Sequence, residues 1–201
     1  GFGFRKKAFS IRVEKIMNIK TILMNSLKGS NFSVMMQKVF KRFENNNYDE
    51  ALVWAKNKVT TSTDEFCKRI DAKLFQDIKK EILDIELDAS KKLNKIDVNL
   101  GGGGNYVLLY FLIRKFKLSI IVETGVAAGW TSLAILKALA KNRNGLLYSS
   151  DFPYFRLERP QKYVGFLVQE AHLKKRWYLD IRGDKICLPK IATLLNKQKI
   201  D

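Results

Sequence analysis

The apolar positions of this chain keep two different rhythms. From Phe66 onward they fall at Phe66, Ile70, Leu74, Ile78, Ile82, Ile85, Ala89 and Leu93, and steps of three and four line one face of a long helix. Just ahead, Ser62-Thr63-Asp64-Glu65 places a hydroxyl at the cap and a glutamate three residues on, the pattern of a reciprocal N-terminal cap. Shorter stripes at Met36, Val39, Phe40 and Phe43, and at Ala51, Leu52 and Ala55 beside Trp54, predict further helices whose apolar side chains serve core packing. Residues 1–100 therefore read as a helical region.

Gly101 to Gly104 ends that rhythm, because each glycine costs a helix roughly 1 kcal/mol relative to alanine. The run reads as a turn between two parts. A phosphate-cradling loop is the alternative, but no strand precedes it and no Lys-Ser/Thr pair follows. Beyond it the pattern predicts a helix over Tyr106–Phe116, a strand over Leu118–Glu123 and a helix over Thr131–Lys141, closed near Asn144-Gly145. A strand at Leu146–Ser150, a helix at Pro160–Leu173, a strand at Trp177–Ile181 and a helix starting at Pro189 and running toward Asn196 follow. Strand and helix alternating at these lengths imply right-handed crossovers and a parallel sheet. The fold class is α/β: residues 101–201 form a partial Rossmann-like sheet of three parallel strands with flanking helices, preceded by the helical region.

Composition narrows the classes. The 201 residues are 46% hydrophobic and 28% charged, values of a folded domain. No stretch approaches the roughly 18 apolar residues of a membrane span. Arg5, Lys6 and Lys7 are not followed by an apolar core with a cleavage site, so a secretory signal is not expected. Two cysteines, Cys67 and Cys187, stand 120 positions apart with one histidine in the chain. That excludes a Cys/His zinc site and a disulfide framework and fits a reducing cytoplasm. The net charge of +17 admits nucleic acid as a partner, but the excess is lysine spread along the chain and reads first as solvated faces.

The chemistry concentrates in Ile121-Val122-Glu123-Thr124-Gly125-Val126-Ala127-Ala128-Gly129-Trp130-Thr131-Ser132. A strand ends in an acid, and a loop of small residues feeds a helix, at the carboxyl end of a strand where open α/β sheets bind ligands. The dinucleotide fingerprint needs glycines at 125, 127 and 130, where the chain has Gly125, Ala127 and Trp130. A tryptophan at the position of close helix-strand packing argues against it. The second strand ends at Asp151, 22 residues after Gly129, where an acid accepts hydrogen bonds from ribose hydroxyls, with Phe152 beside it for a base. The third is followed by Arg182-Gly183-Asp184 and Leu188-Pro189.

An acid two residues before the first of two glycines spaced four apart resembles motif I of class I S-adenosylmethionine-dependent methyltransferases. Gly183-Asp184 resembles that family's third motif. Together with Leu147-Tyr148-Ser149-Ser150-Asp151-Phe152-Pro153, the wording is similar to the small-molecule and sugar O-methyltransferase subgroup, over roughly residues 100 to 196. The resemblance implies S-adenosylmethionine as cofactor, held by Glu123, Gly125, Ala127, Gly129, Thr131, Asp151, Phe152 and Asp184. Glu123 would face the cationic methionine end, Asp151 the ribose and Asp184 the adenine amino group. It implies methyl transfer to a small-molecule or glycan-like acceptor. RNA methylation, a non-catalytic nucleotide- or nucleic-acid-binding module and an NAD(P) oxidoreductase stay open beside it. A complete domain of this family has more strands, so residues 101–201 read as its first half, with a fourth strand starting near Lys199-Ile200-Asp201 and Met17 as an internal start. Acids and a histidine that hold a divalent metal or act as base in the resembling enzymes would lie beyond residue 201. No residue present takes a catalytic assignment; His172 reads as a surface position, and Tyr154, Phe155 and Arg156 as the border of the substrate mouth.

Overall fold

The computed structural model describes residues 19–28, 31–43, 48–59 and 61–201; the basic start at Arg5–Lys7 and Met17 lie outside them. Residues 19–26 are helical (α1), followed by α2 (Asn31–Phe43), α3 (Tyr48–Lys58), α4 (Thr63–Leu93) and α5 (Tyr106–Phe116). Then come β1 (Ile120–Thr124), α6 (Trp130–Lys141), β2 (Leu146–Ser150), a single 3-10 turn at Pro160–Tyr163, α7 (Ala171–Lys174), β3 (Trp177–Asp180) and α8 (Asp184–Leu195). The fold is mixed α/β: an open, all-parallel sheet in the order β1-β2-β3, flanked by helices and preceded by a helical region.

The predicted cap opens α4. The Ser62 hydroxyl accepts from the Glu65 N–H at 3.2 Å, and the Glu65 carboxylate accepts from the Ser62 N–H at 3.1 Å. Ile78, Ile82, Ile85 and Ala89 of the predicted stripe are buried and share one core with Phe111 of α5, Leu133 and Leu136 of α6 and Leu147 of β2. Phe75 meets Phe111 edge to face, centroids 5.9 Å apart. The helix is not one rod. Asp71 leaves the helical region (φ −161°, ψ 91°), its carboxylate accepts from the Leu74 N–H at 2.9 Å to restart the coil, and Lys115 of α5 pairs with it at 2.8 Å.

Four expectations are corrected. Strands β1 and β3 are shifted or shortened, to Ile120–Thr124 and Trp177–Asp180. The helix expected over Pro160–Leu173 is a 3-10 turn, an irregular stretch and the four residues of α7. Its middle is diverted because Gly165 and Leu167 donate their N–H groups to the carbonyls of Ala127 and Ala128, at 2.8 and 3.0 Å. Helix α8 starts at Asp184 and carries Pro189 inside it. Finally, the stripes of α2 and α3 form helices but do not supply core: Phe40, Phe43 and Trp54 are 63%, 81% and 64% exposed. The packed side of α2 is instead Asn31 and Val34.

Register fixes what stands at the sheet's carboxyl edge. Glu123 pairs with Ser149 and Thr124 with Ser150, and the Gly125 N–H extends the ladder to the Ser150 carbonyl at 2.8 Å. Alternating backbone groups turn Ile120 away from β2. On that outer edge the Asp201 N–H, at the place expected for a fourth strand, donates to the Ile120 carbonyl at 3.0 Å. No helix among the described residues is long and apolar enough to cross a membrane.

Candidate functional site

Glu123, next to last in β1, is only 9% exposed. Three hydroxyls meet its carboxylate: Thr131 on Oε1 at 2.5 Å, and Ser132 and Ser149 on Oε2 at 2.7 and 2.8 Å. Ser149 in turn accepts from the indole N–H of Trp177 at 2.8 Å. Burial pushes the Glu123 carboxyl above its ordinary value against the pull of these hydroxyls, and the negative charge of Asp151 adds to the rise. A carboxylate has about four acceptor positions, so one remains.

Asp151 is bound up with the small-residue loop itself. Its Oδ2 accepts from the N–H groups of Val126 and Ala127 at 2.9 and 2.7 Å, and its Oδ1 accepts from the Phe152 N–H at 2.6 Å. These bonds hold Ala127 at φ 50°. By the same count one acceptor position is free, so Asp151 can take one ribose hydroxyl where the sequence reading gave it two. The loop is clamped from outside at Gly129: a Cβ there would stand 3.0 Å from the Cα of Gly165. Gly165 is itself pressed by Trp177, whose Cη2 lies 2.2 Å from where a Cβ would be. Gly125, at φ 82°, has open space above it.

Two cavities meet at Gly125 and Ala127. The smaller, about 390 Å³, is walled by Glu123, Thr131, Trp130 and the backbone of Gly102–Gly104. The larger, about 560 Å³, is walled by Asp151, the segment Phe152–Arg156, Leu100, and Ile22, Met35 and Val39 of the first two helices. Glu123, Gly125, Ala127, Thr131, Asp151 and Phe152 are thus brought together around one loop. Gly129 lies beneath Gly165 and Asp184 beside β2, outside both walls. Asp184 accepts on one carboxylate oxygen from the Ser150 hydroxyl at the start of α8, which turns that oxygen to β2. Phe152 packs on Gly183 as well as lining the larger cavity.

Tyr154, Phe155 and Arg156 line the larger cavity. The Tyr154 hydroxyl donates to the Leu100 carbonyl at 2.9 Å, and burial pushes it up to about 12, so at neutral pH it is a fixed donor. Arg156 donates to the Asn99 carbonyl at 2.6 Å and lies over the Tyr154 ring. His172 is exposed on α7. Among the described residues no group of three or more His, Cys, Asp or Glu is placed to hold a metal ion.

Sequence reasoning missed three kinds of contributor. Gly103 is a wall because a Cβ there would stand 2.5 Å from that of Trp130. Ser132 and Ser149 are donors to Glu123; hydroxyls on a strand and a helix start facing a buried acid were the signal to look for. The first two helices reach the cavity through tertiary packing alone. No family model and no curated protein sequence matches this chain.

Proposed function

We propose that the chain binds S-adenosylmethionine and serves methyl transfer to a small-molecule or glycan-like acceptor, most simply at an oxygen, within a reducing, cytoplasmic setting that suits its two buried free thiols. One observation carries the reading: the carboxylate of Asp151 is folded onto the Val126 and Ala127 N–H groups while Glu123 stands behind the same loop. Two negative side chains then serve one small-residue bend.

That charge pattern selects among nucleoside ligands. In a dinucleotide site the loop amides receive a pyrophosphate. Here two of those amides already have an internal anion, and a second would be repelled by both carboxylates. A ligand with a positive end and an uncharged ribose meets no such penalty. The free acceptor position on Glu123 suits the N–H donors of the ammonium group, its charge suits the sulfonium beside it, and the free position on Asp151 suits a ribose hydroxyl. Bound S-adenosylmethionine would supply the activated methyl group. The chain's own contribution is to hold the two ends in place and to keep water from the buried side of the loop, the positioning that a displacement reaction needs. The +17 charge favours polyanion association as a second reading, one that weakens steeply as salt rises.

The test is calorimetric titration of the purified protein with S-adenosylmethionine, S-adenosylhomocysteine and NAD separately. Binding of the first two and not of NAD is expected. Binding of NAD alone, or of none of the three, overturns the proposal.

A further inference from the structure

We propose that the helical N-terminal region is part of the ligand site: α1 and α2 form an apolar roof over the nucleoside end of the pocket, and Asn25 is the residue that positions it. The inference rests on the cofactor reading above and goes beyond it, because it assigns a ligand role to helices far from the loop in sequence.

The larger cavity has Asp151 and the Gly125–Ala127 backbone as its floor, Phe152–Arg156 as its side and Ile22, Met35 and Val39 as its top. Among the described residues the top offers no charged or hydrogen-bonding side chain. Of the two charged residues around the cavity among the described residues, Asp151 is committed to three N–H groups and Arg156 to the Asn99 carbonyl and the Tyr154 ring. The interior therefore suits an uncharged, flat, apolar group next to the carboxylate that takes the sugar. A purine base meets that description.

The roof is held by buried amides. Asn25 is 4% exposed, and its side-chain Nδ2 donates to the carbonyls of Phe155 and Leu157 at 3.2 and 2.8 Å, some 130 residues away in the chain. Asn31, 8% exposed, donates to the Asn25 carbonyl at 3.0 Å and fixes the corner between α1 and α2. Asn25 thus joins the roof to the same segment that forms the cavity's side. A buried donor that loses its acceptors, or acceptors that lose their donor, would let the two separate.

The experiment compares the intact protein with Asn25→Asp, which keeps size but removes the donors, with Met35→Ala, and with Phe40→Ala, an exposed position of α2 outside the cavity. Each is titrated with S-adenosylhomocysteine and melted thermally. Separately, cleavage by trypsin after Lys20 and Lys28 is followed with and without S-adenosylhomocysteine. The expectation is at least tenfold weaker binding for Asn25→Asp and Met35→Ala, wild-type binding for Phe40→Ala, and slower cleavage at both lysines when ligand is present. Should Asn25→Asp fail to fold, Met35→Ala and the cleavage rates carry the test. Binding within twofold of wild type in Met35→Ala, with cleavage unaffected by ligand, overturns the roof and leaves the cofactor reading standing. Absence of S-adenosylhomocysteine binding in the unmodified protein overturns both.

Discussion

Replacing Glu123 by glutamine should move stability and ligand binding in opposite directions. The substitution keeps the shape of a side chain that is 9% exposed: its oxygen still accepts from the hydroxyls of Ser132 and Ser149, and its new NH2 donates to the Thr131 hydroxyl, which rotates to accept. What it removes is a charge whose main perturbation is burial, which raises the carboxyl's folded value above that of the unfolded chain. A group with a raised folded value contributes stability that is complete below its unfolded value and is lost as pH climbs through the folded one. At neutral pH this raised value is therefore a cost to the folded state, and Glu123→Gln should melt at or above the wild-type temperature, with the difference shrinking as pH falls toward 4.5, the ordinary carboxyl value. Ligand binding runs the other way. A charge-assisted hydrogen bond contributes about 1.5–3 kcal/mol, which is about a ten- to hundredfold loss of affinity. The loss should be greater for S-adenosylmethionine, whose sulfonium is positive, than for S-adenosylhomocysteine. Titration calorimetry and thermal melting over pH 5 to 8 read both quantities. A fall in melting temperature at pH 8 of more than about 4 °C, roughly 1–2 kcal/mol on a chain of this size, or unchanged affinity for both ligands, would refute the reasoning.

Asp151→Asn should cost about 1–3 kcal/mol of stability, because an amide cannot accept from the Val126 and Ala127 N–H groups and the Phe152 N–H together; denaturant unfolding measures it. Gly165→Ala should be worse, since its Cβ would stand 2.2 Å from Trp177 at a φ of 68°. We expect a loss of about 2–4 kcal/mol from overpacking and backbone strain, with a red shift in tryptophan emission as the ring is pushed outward. Ser62→Ala removes the reciprocal cap of α4 and should cost about 1 kcal/mol, visible in denaturant unfolding without any change in ligand affinity.

The parts of this fold readable from the sequence are those set by local spacing. Strand-terminal acids announce themselves by position, so Glu123 and Asp151 could be named before their meeting at one loop was visible. The Ser62–Glu65 cap needs only four residues to form and was equally legible. The misjudged parts depend on partners distant in the chain. Nothing local says that the Gly165 N–H will be drawn to Ala127, and without that bond Pro160–Leu173 has an acceptable helical pattern. Helix α8 accommodates Pro189 well past its first turn, so the proline marked the wrong start. In α2 and α3 the apolar spacing did predict helices, but spacing cannot say which face finds a neighbour. The cavity-facing residues Ile22 and Met35 carry no chemical signature, and their role follows only from Asn25 reaching Phe155 and Leu157.

The stack of Trp130 on Tyr106, ring centroids 5.6 Å apart, gives the molecule an optical reporter. Its three tryptophans occupy dissimilar surroundings: Trp54 is open to solvent, Trp177 is tied through its indole N–H to Ser149, and Trp130 lines the smaller cavity beside Glu123 and Gly103. Anything that enters there changes the polarity at one indole face and leaves the other two fluorophores as they were. With Trp54 replaced by phenylalanine to darken the background, occupancy can be followed by fluorescence without a label, at concentrations far below those calorimetry needs.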